Sequence, residues 1–597
     1  MPKAVEDTLI SHLARAVREH PDSPAFTFVD FAADPAGHRT SLTWAELGRR
    51  VDAVARTLQL AGCTGERVAV VAPQGPAYVV GFLGALRAGA VAVPLFPPHL
   101  PGHDQRLISA LVDAAPVCLL TTTEAKPGVL EFCSARRLPG ADRIIAVDAA
   151  QTGEDPPGET DGYEYFAAHP SDCAYLQYTS GSTRTPTGVE ITHANVVANV
   201  RQSVEAFGVD REENHVVSWL PLFHDMGLVL AVAIPVVRAV HSVLMDPAAF
   251  IQHPVRWLEL LGEYPGAVTA APNFAYDYCV RRVAEAARTD LALHGVSVMI
   301  NGSEPIRAAT LSRFEQAFAP CGLRPQTMRP SYGLAEATVF VSTSRARRAP
   351  EVTVFDRESF KKGKLHPDPG AADGSGTELV SCGEPVGQEI TIADPDGGYA
   401  LPEGTVGEIW VRGPNVARGY WRSPVRSVDT FRAELADAPA DGRDAGHWLR
   451  TGDLGALYDG CLYVTGRIKD LVIIDGVNHY PQDIETTVQE AHAFIRTNHV
   501  AAFSLTVGSG ERLVVVAEHS SRIDDPEPAR EEIVRAVRRA IAAGHGATLH
   551  DFVLAPPGTV PRTSSGKVAR GACRTRYLAG DWPGRAQFDL TEAGGEE

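Results

Sequence analysis

The stretch YTSGSTRTPTG at 178–188 gathers hydroxyls and glycines directly behind an apolar segment. Thr179, Ser180, Ser182 and Thr183 offer hydroxyl donors, and Gly181 lets backbone amides close on an anion. A phosphate-holding loop usually carries a lysine as well. Here the nearest cation is Arg184, and Thr187 stands before the closing Gly188. Taken alone, such a composition is more often just an ordinary loop. In SYGLAEAT (331–338), Tyr332 supplies a flat face for a purine and Glu336 a hard carboxylate suited to Mg2+ beside phosphates. The plain alternative is a helix start with a solvated glutamate. TGDLG (451–455) puts Asp453 at a turn, where a carboxylate could accept both hydroxyls of a ribose. Arg467, just past a strand in GRIKD, is a second candidate for the ribose. PRTSSGK (561–567) ends on Lys567, in a loop to which Gly566 gives freedom. FHDMGL (223–228) supplies His224, a residue type more often packed in a core than catalytic when it stands alone.

These residues need a frame. ERVAVVA predicts a strand, PAYVVGFLGALRAG a helix with Gly89 at its C-terminal cap, and AVAVPL a second strand. That order argues for a parallel sheet. The rhythm returns at VVSWLPL (216–222), AVTAAP (267–272) and VSVMING (296–302). From about Ser381 the pattern becomes β-rich, with EIWVRG (408–413), CLYVTGR (461–467) and a hairpin signal at Asp459-Gly460. DLVIIDG and RLVVVAEHS (512–520) read as strands of a smaller α+β unit. In EEIVRAVRRAI (531–541), Ile533, Val534, Val537 and Ile541 share one helix face.

The 597 residues are 44% hydrophobic and 21% charged, an ordinary globular composition at a length that suggests more than one domain. Lys and Arg number 55 against 73 Asp and Glu, a net charge of −18, which argues against tracking a nucleic-acid backbone. The nine cysteines are scattered without a C-x-x-C pair and read as free thiols in a reducing compartment. The N-terminus lacks a long apolar stretch. The longest apolar run, 228–237, contains Pro235 and is too short to span a bilayer. A soluble cytoplasmic protein is expected.

YTSGSTRTPTGV, SYGLAEAT, TGDLG, GRIKDLVIIDG and PRTSSGKV stand in the order found in adenylate-forming enzymes, and the chain resembles that superfamily over nearly its whole length. It looks most like the fatty acyl-AMP ligases. The TRTPTG loop lacks the lysine usual in CoA-forming relatives, NGSEP (301–305) is close to that branch's NGAEP, and the hinge region ends in NHYPQDIE. A long extra segment, with EVTVFDRESFKKGKL at 351–365, separates Thr338 from Ser381. Ala335, where many relatives carry threonine, also fits the branch.

The resemblance implies an α/β fold with a large N-terminal AMP-binding domain over 1–466, carrying an insertion at about 345–378. A hinge at 467–470 around Lys469 and a small mobile α+β C-terminal domain over 471–597 would follow. It implies ATP and Mg2+ as cofactors, a fatty acid as substrate and an acyl carrier protein on another chain as acceptor. Catalytic roles would fall to Lys567, Glu336 (also the Mg2+ ligand) and His224, the last for positioning. Nucleotide contacts would come from Thr179, Ser180, Gly181, Ser182, Thr183, Gly302, Ser303, Glu304, Ser331, Tyr332, Gly333, Asp453 and Arg467. In the insertion, Val352, Val354 and Phe355 would pin the segment to the N-terminal domain, against the closure that accepts CoA, with Asp356 capping a turn. An acyl pocket is expected from 219–280. Arg535, Arg538, Arg539, Arg570, Arg574 and Arg576 are candidates for a carrier-protein landing patch, or else solvated charges. A conventional acyl-CoA synthetase is the rival within the class, and an idle nucleotide- or acyl-binding scaffold the rival outside it.

Overall fold

The strand Arg67–Val70 pairs in parallel with Val91–Pro94, and the helix Pro76–Arg87 joins them. This is the strand–helix–strand unit that the spacing predicts. The helix ends at Ala88, and Gly89 follows with φ +74, where a Cβ would meet the ring of Phe166 at 2.5 Å. The computed structural model describes residues 7–98, 103–149, 166–178, 187–373, 376–437, 446–474, 477–507, 510–520, 527–562 and 567–582.

Two large sheets carry the first part of the chain. Six strands run in the order Ile144–Ala146, Cys118–Thr121, Arg67–Val70, Val91–Pro94, Cys173–Tyr178 and Gly188–Thr192, parallel except for the last. The second sheet has nine strands, with His215–Ser218, Ala267–Pro272, Val298–Gly302 and Met328–Gly333 adjacent and parallel at its centre. Such strands are covered on both faces and read as continuous apolar runs. The predicted strand at 216–222 ends early, at Ser218, because Pro221 carries the chain into a turn. The apolar run 228–237 is a buried helical segment, opening as a π-helix over Val229–Ala233. Among the described residues, no helix is long and apolar enough to cross a membrane.

A four-stranded antiparallel sheet follows, made of Glu389–Ala393, Gly407–Arg412, Leu449–Tyr458 and Cys461–Arg467. Asp459 and Gly460 turn its last hairpin with φ +50 and +70, as the Asp-Gly signal predicts. Beyond it, Ile495–Val507, Gly510–His519 and Leu549–Ala555 form a three-stranded sheet. The helix Glu527–His545 buries Ile533, Val537 and Ile541 against this sheet in a core of its own. All nine cysteines are free.

The extra segment is anchored by one of the three residues expected to pin it. Val352–Phe355 pairs with Thr377–Val380, but Val352 is 41% exposed and Val354 half-buried. Phe355 holds the segment, as expected of it. It is fully buried against the rings of Tyr458 and Tyr463, at 5.6 and 5.4 Å. The register explains this, since alternate residues of a strand face opposite sides and Phe355 takes the inner side at the strand's end. Asp356 caps the helix Arg357–Lys361 by accepting from the Ser359 N–H at 2.8 Å, as expected.

Candidate active site

Three of the motif residues meet across two sheets, Asp453 and Arg467 on paired strands of the four-stranded sheet and Tyr332 on a strand of the nine-stranded one. Asp453 lies within the long strand Leu449–Tyr458, opposite Arg467, and not at the turn that TGDLG suggested. Gly452 has the positive φ of a turn (+69) and lies at a register shift, where the pairing with Gly407–Arg412 passes from Arg450 to Leu454 and the pairing with Cys461–Arg467 begins at Asp453. Arg467 is the last residue of its strand rather than just beyond it. Its Nε forms an ion pair with Asp453 Oδ1 at 2.9 Å, and the Tyr332 hydroxyl donates to Asp453 Oδ2 at 2.8 Å. Asp453 thus has one partner on each oxygen. Burial, then the charge of Asp453, pushes the Tyr332 phenol far up, so it remains a donor. Asp453, more than burial can oppose, holds the Arg467 guanidinium up.

Glu336 sits in a single turn of 3-10 helix, Ala335–Ala337. The next residue, Thr338, has φ +68 and ψ −61, a rare conformation for a β-branched side chain. Three bonds hold this strained turn. Thr338 Oγ1 donates to the Asn415 carbonyl (2.7 Å), Asn415 Nδ2 to the Ala337 carbonyl (3.1 Å) and the Ala417 N–H to the Glu336 carbonyl (2.9 Å). The Tyr420 hydroxyl then donates to Glu336 Oε1 at 2.8 Å. The segment 415–420, which holds this turn, is a stretch that sequence reasoning missed. Its signal was the run ARGYW at 417–421, whose aromatic and guanidinium types suit a site edge.

His224 precedes a short helix, and its Nδ1 donates to Asp225 Oδ1 at 3.0 Å. Burial alone would raise the Asp225 carboxyl. The His224 hydrogen bond, the Met226 N–H and the charge of Lys567 bring it below the usual range. Asp225 is a second residue that the sequence reading passed over. Lys567 reaches this place from the far end of the chain. Burial, then the like charge of Arg467, lowers its ammonium, while Glu304, Asp225 and Asp453 pull the other way. Glu304 accepts from the Phe274 N–H at 2.5 Å. Burial raises its carboxyl against that bond and the charges of Lys567, Arg307 and Arg562. Arg307 Nη1 donates to Asn498 Oδ1 at 3.1 Å, tying this edge to the C-terminal sheet. Lys469 lies in the one-turn helix Ile468–Asp470, its ammonium lowered by burial and Arg467.

An apolar pocket opens beside these groups. Met226, Val229, Leu230 and Ile234 line one side, Phe207, Val339 and Phe340 another, with Gly302, Ser303, Ser331, Tyr332 and Gly333 at its polar end. The expected source, 219–280, therefore supplies only part of the wall. The helix His193–Phe207 and the strands around 300 and 331–340 supply the rest, because the central parallel strands stack these segments side by side.

Thr179, Ser180, Gly181, Ser182, Thr183 and Arg184 lie outside the described residues. Of the arginine patch, Arg570 is an internal clamp. It donates to Glu485 at 2.7 and 2.8 Å and to Asp470 at 3.1 Å, so its charge serves the fold. Arg576 donates to the Thr559 carbonyl. Arg535, Arg538, Arg539 and Arg574 are exposed.

The family model described as AMP-binding enzyme matches residues 13–421, and the one described as Disco-interacting protein 2-like, AMP domain, matches 469–587. The chain is 44% identical to the long-chain-fatty-acid–AMP ligase FadD26 of Mycobacterium marinum, over 95% of this chain and 96% of that one. It is 42% identical to a 4-hydroxyphenylalkanoate adenylyltransferase of the same organism, over 96% and 91%. Among solved structures, one from work on fatty acyl-adenylate ligases of E. coli and L. pneumophila aligns with TM-score 0.83 at 32% identity, over 97% and 99%. A fatty acyl-adenylate ligase of L. pneumophila in complex with acyl adenylate and pyrophosphate aligns with TM-score 0.71 at 32% identity, over 96% of each chain.

Proposed function

Since the chain belongs to the AMP-binding enzyme family, in its long-chain-fatty-acid–AMP ligase branch, we propose that it activates a fatty acid with ATP and hands the acyl group to a carrier protein. In the first step the fatty acid carboxylate attacks the α-phosphorus of ATP, acyl-AMP forms and pyrophosphate leaves. In the second, a phosphopantetheine thiol of an acyl carrier protein attacks the acyl carbonyl, a thioester forms and AMP leaves. The observation that carries this reading is the apolar pocket lined by Asp225 and Tyr332, with the Tyr332 hydroxyl donating to Asp453 at 2.8 Å beside the Asp453–Arg467 ion pair.

The carboxylate is already ionised at neutral pH and needs no base. Two anions must instead be brought together, so catalysis is mainly positioning and charge neutralisation. Lys567 bridges the carboxylate and the α-phosphate. His224, oriented by Asp225, borders them. Tyr332 and the backbone near Gly302, Ser303 and Glu304 border the adenine, with Ser331 and Gly333 beside it. Asp453 and Arg467 hold the ribose, and the 179–183 loop cradles the phosphates. No group of three potential metal ligands exists among the described residues. The single carboxylate of Glu336, with Oε1 fixed by Tyr420, fits Mg2+, which takes one or two carboxylates plus phosphate oxygens and water. Bound there, the ion offsets the triphosphate charge.

We further place the domain limits at 1–466 and 471–597, with Lys469 in the hinge, in a cytoplasmic protein. The insertion supports carrier protein over CoA as acceptor. It reaches past the hinge, where Phe360 stacks on Tyr480 at 4.5 Å and Arg357 donates to the Gly544 carbonyl at 3.3 Å. Fatty-acid-dependent exchange of pyrophosphate into ATP is the test. Exchange with a ladder of fatty acids is expected, and none with any of them would overturn the reading.

A further inference from the structure

The loop at 178–188 has no lysine, and the fold supplies a cation to its described edge from elsewhere. Residues 418–421 run along the strand Gly188–Thr192. The Trp421 N–H donates to the Gly188 carbonyl (2.8 Å), the Glu190 N–H to Gly419 (2.9 Å) and the Arg418 N–H to Glu190 (3.1 Å). The helix Pro424–Phe431 follows, folded back by Ser427, whose Oγ accepts from the Tyr420 N–H at 2.8 Å. Arg426 on this helix is thereby brought over the loop's end. Its Nη1 donates to Thr187 Oγ1 at 2.8 Å, and its Cζ lies 4.1 Å from the centre of the Tyr420 ring. The hydroxyl of that same tyrosine holds Glu336.

Among the described residues, no carboxylate pairs with Arg426, which differs from Arg412 and Arg450 on either side of it in the sequence. A guanidinium has five donors and suits phosphate oxygens. One donor is used on Thr187 and the group rests on an aromatic face, so its remaining donors are oriented and uncommitted to an anion.

We infer that Arg426 is a phosphate-binding residue that takes over the missing lysine's charge, contacting the β- and γ-phosphates of ATP and the pyrophosphate they become. The inference rests on the adenylation reading and deepens it. A chain of contacts, Thr187–Arg426–Tyr420–Glu336, ties the cation to the carboxylate proposed for the metal. Tyr420 touches both groups, the Arg426 guanidinium with its ring and Glu336 with its hydroxyl.

Calorimetric titration of the full chain with ATP and, separately, with AMP tests this. Arg426→Gln should weaken ATP about 10-fold, in line with loss of a charge-assisted hydrogen bond, and leave AMP unchanged. Pyrophosphate should weaken as a product inhibitor by a similar factor. Thr187→Lys in the Arg426→Gln background should restore most of the ATP affinity. The inference is overturned if Arg426→Gln leaves both nucleotides unaffected. It is equally overturned if ATP and AMP weaken together, because Arg426 would then only hold the site's shape. A wild-type chain that bound neither nucleotide would overturn the adenylation reading itself, and this inference with it.

Discussion

The two walls of the site are built on different terms. On one, Asp453 and Arg467 face each other on paired strands as an ion pair at 2.9 Å, and the Tyr332 hydroxyl, from a strand of the nine-stranded sheet, donates to Asp453 at 2.8 Å. On the other, Lys567 arrives from a segment attached to a separate core, and the groups around it, Asp225, Glu304 and Asp453, act on it through charge. The first wall is preorganised by the ladder, as a binding surface requires. The second is assembled only where the C-terminal unit meets the first part of the chain, through contacts such as Arg307 to Asn498. In the proposed reaction, binding and chemistry fall to different parts of the chain, and they should be separable by mutation.

The largest effect is expected on the assembled wall. Lys567→Ala should lower the rate of acyl-adenylate formation by about 100- to 1,000-fold, the range for removing one electrostatic stabiliser, with AMP affinity unchanged. Rapid-quench assays and AMP titration check both halves, and a matching loss of AMP binding would erase the distinction between the walls. On the preorganised wall, Asp453→Ala should weaken ATP and AMP alike by about 10- to 100-fold, since it strips a buried acceptor from two partners.

Acid should weaken both parts. Burial lowers His193 in the large core to about 4, and burial, with His479, Arg357 and Lys361, lowers His545 on the C-terminal side to about 4. Both are neutral when folded but protonate near 6.5 when unfolded. The unfolded chain therefore binds more protons between about pH 4 and 6.5. Stability is full above that window and falls as pH drops through it. Urea unfolding at pH 7 and pH 5 should differ by about 1–2 kcal/mol for His193 alone, a difference that His193→Gln would remove. The smallest effect concerns the insertion. Phe360→Ala removes the stack on Tyr480 while the Phe355 anchor stays, so acyl-CoA formation should rise a few-fold without loss of the fold. A fall in acyl-CoA formation would mean that the segment does not restrain the C-terminal side.

The parallel strands were legible because β-branched runs alternating with a helical period leave few alternatives. The helix at 531–541 was legible for the same reason. Asp453 was misplaced because Gly452 carries a turn's backbone angle inside a strand, and angle and residue type do not reveal pairing. Val352 was overvalued because composition marks a strand without saying which face is buried. Arg570 looked like surface charge because its partners, Asp470 and Glu485, lie 100 and 85 positions away. Tyr420, Asn415 and Arg426 escaped notice for a related reason. Their role comes from a return of the chain across Gly188–Thr192 that no local pattern encodes. The site's chemistry was readable from motifs, while its support was written in long-range contacts.

The proposed reaction is acyl-adenylate formation followed by transfer to a carrier protein. Mass spectrometry of the products of chain, ATP and a fatty acid ladder, with either CoA or a holo-carrier protein as acceptor, reads both steps. Acyl-AMP is expected without any thiol, acyl-carrier protein when the carrier is added, and only feeble acyl-CoA. Acyl-CoA formed as readily as acyl-carrier protein, or no acyl-AMP at all, would contradict the proposal.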